Sequence, residues 1–240
     1  MSFVASYKSR AFLGLLNLSC YIDQFSATAD TAALDVTTIC KTAKEFIPGQ
    51  TSGNASFSGP LDTDATANGF DAAIHALKAT TSPITYAPEG TAAGAPVFMG
   101  NSVQTNLTTT SSVTGRVDWS ATVDIDGDFL GVGAAIEPEA AVTVDTSGTA
   151  QNNGAATSNG GVAHLHVSAF SGLTSDVITI EHSVNGSTSW ATLVTFATVT
   201  GVTSERVVVA PGTSVRQYLR VVDDVTGTGS ITRFVAFSRR

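Results

Sequence analysis

Residues 37–62 read TTICKTAKEFIPGQTSGNASFSGPLD, and this stretch decides the fold. Ile39 precedes a charged run, Lys41, Lys44 and Glu45, and Phe46 and Ile47 then meet Pro48-Gly49. Proline presets φ and glycine permits positive φ, so the pair predicts a loop closing at a turn. Beyond it Ala55 and Phe57 alternate with Asn54, Ser56 and Ser58, the two-residue period of a strand with one apolar face and one face of small polar groups. Gly59-Pro60 stops that strand. The stretch carries no group with a catalytic role.

Working outward, the N-terminal residues 1–12 read as an arm, with Tyr7, Lys8 and Arg10 suited to docking on a neighbour and Phe3 as its anchor. Leu16, Leu18, Cys20 and Ile22 fall on one side of an extended segment and predict a half-buried strand. Ala29–Val36 reads as a loop. On the far side of the central stretch, Asp62 or Asp64 caps a helix whose apolar positions Phe70, Ile74 and Leu77 are spaced i, i+4, i+7, ending near Thr80, Thr81 and Pro83. His75 sits on its flank. Strands follow at Ile84–Tyr86 and Val97–Met99, and the alternation Val117, Trp119, Ala121, Val123 predicts a long antiparallel strand.

Composition agrees with a mostly β chain. Of 240 residues only 13% are charged, and Thr, Ser, Ala, Gly and Val dominate. The formal net charge is −8, with 12 acids and 6 bases in residues 1–135 and 8 acids and 6 bases in residues 136–240. Nonspecific nucleic-acid binding needs clustered Lys and Arg, so this balance excludes a grip on the phosphate backbone while allowing an acidic surface past which it slides. Two cysteines, Cys20 and Cys40, make no metal or disulfide framework and are expected to be reduced and buried. The apolar run Ala11–Leu16 is too short for a signal peptide, and no stretch approaches a membrane span. A soluble protein made in a cytoplasm is expected.

The order of a charged segment, Phe-Ile-Pro-Gly, a Ser/Phe/Ser strand, Gly and Asp resembles the tail tube (major tail) proteins of long-tailed bacteriophages, of the siphophage type, over Tyr7 to Gly133. The resemblance implies a small β-sandwich or barrel with one packed α-helix for residues 1–136, six copies closing into a ring, and rings stacking into the conduit for DNA ejection. It implies the chain itself as chief partner, with tape measure, tail terminator and baseplate or distal tail proteins, and DNA only in transit. The implied location is the virion tail, after assembly in the host cytoplasm and without a membrane. Under it Asn54, Ser56, Phe57, Ser58, Val117, Trp119 and Ala121 are candidate wall or ring-interface residues, and Asp23, Asp118 and Asp124 candidate acidic lumen residues.

A composition shift at Glu137-Pro138-Glu139 marks a boundary, and residues 137–240 read as a separate immunoglobulin-like or jelly-roll β-sandwich. Its strands carry Ala163, Leu165, Val167 and Ala169, then Ile178 and Ile180, Leu193 and Phe196, Val207–Val209, Leu219 and Val221, and Ile231–Phe237, with turn signals at Asn185-Gly186, Pro211-Gly212 and Gly227–Gly229. The run from His182 to Trp190 resembles the hairpin-plus-Trp of carbohydrate-binding and virion surface sandwiches. Trp190 is therefore the candidate surface-binding aromatic under an alternative function, a binding module for glycans or host surfaces.

No catalytic signature stands in the chain: GxSxG, P-loop, GxGxxG and HExxH are all absent. Asp124, Asp126 and Asp128 are spaced like a calcium loop, but the sixth position is Phe129 and the twelfth Ala135, so a turn at Asp126-Gly127 accounts for the letters better. His164 and His166 point one way on a strand with His182 within reach, yet no carboxylate or Cys completes a site, and they read as exposed histidines on a polar face. The expectation is a structural protein, with no enzymatic activity, cofactor or metal.

Overall fold

A computed structural model describes residues 8–61, 70–113, 115–126 and 131–240, residues 70–72 by backbone alone. Phe3, Tyr7, the capping Asp62 and Asp64, Gly127 of the expected turn and Phe129 lie outside these residues. The chain is mostly β, as expected, and its strand pairs are antiparallel. In chain order the elements are β1 (Arg10–Leu13), β2 (Leu16–Asn17), β3 (Gln24–Asp35), β4 (Phe46–Pro60), α1 (Phe70–Ala76), β5 (Thr81–Ala87), β6 (Pro96–Thr110), β7 (Asp118–Ile125) and β8 (Gly131–Val142). They continue with β9 (Thr146–Ser147), β10 (Gln151–Asn152), β11 (Gly161–Ser183), β12 (Ala191–Thr195), β13 (Thr203–Val209) and β14 (Tyr218–Arg239).

Two units share these elements, and neither is continuous in sequence. A core unit holds Met1–Cys20, Ser82–Met99 and Gly131–Arg240, and a hairpin unit holds Tyr21–Thr81 and Gly100–Leu130. The linear division at residues 136/137 differs from this: Glu137-Pro138-Glu139 lies inside β8, where Ala134–Val142 pairs along β14. The composition shift read as a boundary falls within a strand whose partner lies about a hundred residues away, information that local composition does not carry.

The core unit is built on β11 and β14, which pair from Gly161↔Arg239 to Ser183↔Tyr218. Sequence reading divides each into two strands; both run through. Register shifts at Ser171/Leu173 and Leu173/Ser175 absorb Gly227–Gly229 as bulges instead of a turn, and a further shift falls at Val167/Ala169. A Cβ on Gly229 would stand 2.0 Å from the Ser171 carbonyl oxygen, so only glycine lets the backbones approach there. The slips also change parity: Ala163, Leu165 and Val167 before them and Ile178 and Ile180 after them enter one buried cluster with Val221, Ile231, Val235 and Phe237. The opposite face packs Phe12, Ala87, Val97, Met99, Ala135, Phe234 and Ala236. Residues Gly161–Val167 are consequently buried on both faces.

In the hairpin unit β3 pairs β4, β4 pairs β7, and β7 pairs β6. Ala55, Phe57, Trp119, Ala121 and Val123 are buried, as are Ile74 and Leu77 at and beyond α1. The helix is short, stopped by Ala79 at φ 60° and by the Thr80 N–H bonding the Leu77 carbonyl. Two expectations change here. Ala29–Val36 belongs to β3, up to Asp35, since its Ala/Thr alternation finds a register on β4. Pro48-Gly49 lies within β4 rather than closing a turn. Pro48 faces Ala33 next to a register shift, where β7 does not reach, and a missing N–H costs no ladder bond on such an edge. Gly59-Pro60 does end the strand, and a Cβ on Gly59 would lie 2.0 Å from the Tyr21 carbonyl oxygen.

The segment after β1 also departs from expectation. β2 is only two residues long, because the Asn17 side chain accepts from the Ser19 N–H (3.1 Å) and hydroxyl (2.5 Å), and that local turn competes with extension. Leu18 is buried while Cys20 is exposed; Cys40 is exposed too, and both thiols are free, so neither is the buried hydrophobe expected.

Candidate functional site

In the hairpin unit the register sorts residues onto two faces. Asn54 faces Asp124, Ser56 faces Thr122, and Ser58 faces Ser120, with Thr28, Ser26 and Gln24 alongside on β3. This face is made of hydroxyls, amides and carboxylates of small side chains. Thr28 donates to the Asn54 amide oxygen at 2.9 Å, and the Ser56 and Thr122 hydroxyls lie 3.5 Å apart. The other face holds Phe57, Trp119 and Ala121, all buried. Of the candidate wall residues, Asn54, Ser56 and Ser58 are therefore presented outward, Phe57, Trp119 and Ala121 support them from inside, and Val117 is exposed just before β7.

The three candidate acids are not equivalent. Arg116 bonds both Asp23 and Asp118, the latter at 2.5 Å, so one guanidinium serves two carboxylates at one end of the sheet. Asp124 stands exposed at the other end of β7. Sequence reading does not find Arg116, since its two partners lie 93 residues and two residues away.

The edges of this sheet matter as much as its faces. Among the described residues β3 has β4 as its strand neighbour and no other over its twelve residues. At the opposite side Asn106–Thr110 of β6 pairs β7. Beyond the β4–β7 pairing, β3 and β4 continue as a two-stranded ribbon whose residues are exposed on both faces. Its far end carries Leu34, Val36, Ile39, Phe46 (55% exposed) and Ile47 in solvent. Isolated two-stranded ribbons are marginal in water, and this one adds five exposed apolar side chains. The Lys41–Glu45 ion pair (2.7 Å) and the Asp35 carboxylate accepting the Thr37 N–H (2.9 Å) order the loop that joins the strands.

The core unit holds the histidines. His164 and His166 are buried, not exposed, because β11 is covered on both faces at this point. Thr85 Oγ1 lies 2.9 Å from His164 Nδ1 and 2.9 Å from His166 Nε2, and His166 Nδ1 lies 3.1 Å from the Gly14 carbonyl oxygen. Burial pushes both imidazoles below their usual range, His166 to about 4. His182 is elsewhere, its Nδ1 accepting the Arg216 N–H at 3.3 Å, and no cluster of three or more ligating side chains suited to a metal occurs among the described residues. Trp190 is half-buried, with the Arg220 guanidinium carbon 4.2 Å from its ring centroid. Arg220 in turn bonds Glu181 at 2.6 and 2.8 Å, so one face of the indole is occupied within the protein. Arg233, fully buried, pairs with buried Asp223 through Nε at 2.6 Å and a terminal nitrogen at 2.5 Å, and the Thr146 hydroxyl donates to the same carboxylate at 2.8 Å.

No protein-family model and no curated protein matches the chain. Among solved structures it is similar to the tail of an empty gene transfer agent particle with C6 symmetry, at 13% identity over 45% of this chain and 79% of that one, TM-score 0.37. It is similar to a chain of the native gene transfer agent virion at 15% identity over 49% and 92%, TM-score 0.38. The SPP1 Dit protein, described as a paradigm of the hub adsorption apparatus in phages infecting Gram-positive hosts, is similar at 12% identity over 96% and 98%, TM-score 0.41. The structures it is similar to are thus tail and hub proteins of phage-like particles.

Proposed function

We propose that the chain is a structural subunit of a phage-type tail, and that its hairpin unit builds the wall of a tail tube. The supporting observation is a four-strand sheet in which, among the described residues, β3 has no second strand neighbour and Asn106–Thr110 of β6 pairs β7 alone, together with one face of small polar side chains. An open edge displays unpaired N–H and C=O groups that a second copy can satisfy, and closing a ring removes both edges together. Six copies closing in this way, as in the tail tube proteins the sequence resembles, put the Asn54–Ser56–Ser58 face around a channel. Small hydroxyls and amides bring no positive charge to the phosphate backbone, and Asp124 adds repulsion toward it. The exposed ribbon of β3 and β4 buries its apolar end against the next ring. Assembly is the activity, the partner is the chain itself with the tail proteins at either end of the tube, and the place is the virion.

Negative-stain microscopy of the concentrated protein tests this. Rings or tubes with a central channel are expected. A monomer that persists at every concentration, with its β3 amides as protected from exchange as those between β3 and β4, would show that the edge is not a joining surface.

A further inference from the structure

The buried Thr85–His164–His166 cluster takes no part in assembly as proposed above, and its hydrogen bonds admit one arrangement of protons. A carbonyl oxygen only accepts, so the 3.1 Å contact to Gly14 requires a proton on His166 Nδ1. In the neutral ring Nε2 is then an acceptor, and the Thr85 hydroxyl donates its single proton to it. With that proton committed, Thr85 Oγ1 accepts from His164 Nδ1–H at 2.9 Å. Both rings are the Nδ1–H tautomer, and His164 Nε2 is left as a buried acceptor with no donor. A proton added at His166 Nε2 breaks this order. Thr85 Oγ1 would then receive donors from both rings while its own proton has no acceptor, and a charge would stand in a site stacked between rings, Phe12 at 5.1 Å among them.

What this cluster holds is the β1–β2 segment. Gly14 lies in the turn between β1 and β2, and its own N–H bonds the Pro83 carbonyl at 2.9 Å. β1 pairs β5 over four residues, and Phe12 also stacks on Phe234 at 4.9 Å. A second tether runs through Glu139 on β8, which accepts from Asn17 at 2.8 Å and from Ser168 at 3.1 Å. The charged group acting on the cluster is Arg206 on β13, opposite His164, while Glu139 is held by Asn17 and Ser168; Phe234 on β14 and Ser204 on β13, the residues opposite His166, carry no charge. Arg206 lowers His164 in the same sense as burial, whereas at His166 burial lowers and the hydrogen bond to Gly14 opposes it to a smaller extent. We propose that His166 is a proton-sensitive latch which holds the β1–β2 segment on β11 while neutral and releases it on acidification.

Released, His166 titrates as an ordinary imidazole near 6.5; latched, it resists protonation down to about 4. The opening equilibrium therefore grows about tenfold per pH unit between those values. Hydrogen exchange of the intact protein, corrected for the intrinsic pH dependence, should show the protection of Ala11–Leu18 falling by that factor while β11–β14 amides keep theirs. His166→Asn retains a donor for Gly14 but does not titrate, and should abolish the slope. Nitrogen-15 NMR of the wild-type imidazoles needs no variant, and both rings should be Nδ1–H at pH 7. An Nε2–H tautomer at His166, a pH-independent protection of Ala11–Leu18, or its loss only together with the β11–β14 amides would each overturn the latch.

Discussion

β11 with β14 and β3 with β4 are both long antiparallel ribbons, and they differ in what holds them. The first is buried on both faces over Gly161–Val167 and again on one face from Asp176 onward, so its side chains carry the core. The second has the same ladder but a solvated far end, with Leu34, Phe46 and Ile47 exposed. Hydrogen bonding is common to both, so it does not separate them; burial does, at roughly 25 cal/mol per Å² of apolar surface. One ribbon buries its apolar side chains within the single chain, and the other leaves those at its far end in solvent.

The largest effect falls where burial is deepest. Arg233→Ala leaves Asp223 as an unpaired buried carboxylate, and the expected loss is about 3–5 kcal/mol in denaturant unfolding. Arg116→Ala at the Pro60 end of the hairpin unit removes two ion pairs to solvent-exposed partners, and should shift the denaturant midpoint far less than Arg233→Ala does. Equal losses at the two sites would erase the contrast.

Acid sharpens it further, through two buried groups of the core unit with opposite signs. His166 is depressed by burial to about 4, so between there and 6.5 the unfolded chain binds the extra proton, and stability is full above 6.5 and falls toward pH 4. Asp176, fully buried near Asp223, is pushed up to about 6 by burial first and by that neighbouring charge second. Here the native state binds the extra proton, and stability is full below 3.8 and falls as pH rises through 6. Each is worth about 3 kcal/mol at 1.36 kcal/mol per unit, and between pH 4 and 6 they oppose each other. Asp176→Asn should therefore stabilise the protein by about 1–3 kcal/mol at pH 7 and uncover a steep loss on acidification that the wild type conceals. An unchanged pH profile would mean that Asp176 titrates in the native protein as it does in the unfolded chain, so that burial does not raise it.

The two ribbons were not equally legible in the sequence. The alternation of Asn54, Ser56 and Ser58 with Ala55 and Phe57 gives both faces of β4, because a half-buried strand writes its environment into a period of two. Continuous burial has no period, so the run around Leu165 conveys a strand but hides that His164 and His166 are interior. Bulges defeat local reading too, since Gly227–Gly229 has the letters of a turn and the backbone of a strand bending past Ser171. Pro48-Gly49 failed for a related reason: proline is compatible with an edge, and only the register says that β4 has an edge there. The candidate acids were visible as letters, whereas their shared Arg116 is a fact of three-dimensional pairing.

The open edge of β3 gives a prediction whose effect lies in assembly. Successive N–H groups of a strand point to opposite sides, so of Ser26→Pro and Ala27→Pro one deletes a donor bonded to β4 and the other a donor facing outward. The inward one should cost stability by up to about 3 kcal/mol and the outward one much less, while the outward one alone leaves a folded monomer that forms no rings in the microscope. Two variants that assemble equally well would show that β3 is not a joining edge.

The smallest effect on the single chain is expected at the end of the same ribbon. Phe46→Ser and Ile47→Ser change side chains that are already about half exposed, so unfolding of the monomer should shift by less than about 0.5 kcal/mol. Burial of these side chains against a second copy would be worth about 1.5–3 kcal/mol each, so the same substitutions should raise the concentration needed for assembly by about tenfold or more. Cys40 reports on this directly, since it is a free, exposed thiol in the loop joining β3 to β4, and Cys20 is an exposed thiol outside the ribbon. Both should react with a thiol reagent in the monomer, and Cys40 alone should slow on assembly. Slowing of neither thiol in rings would leave the ribbon uncovered, and its apolar end would then need a partner other than this chain.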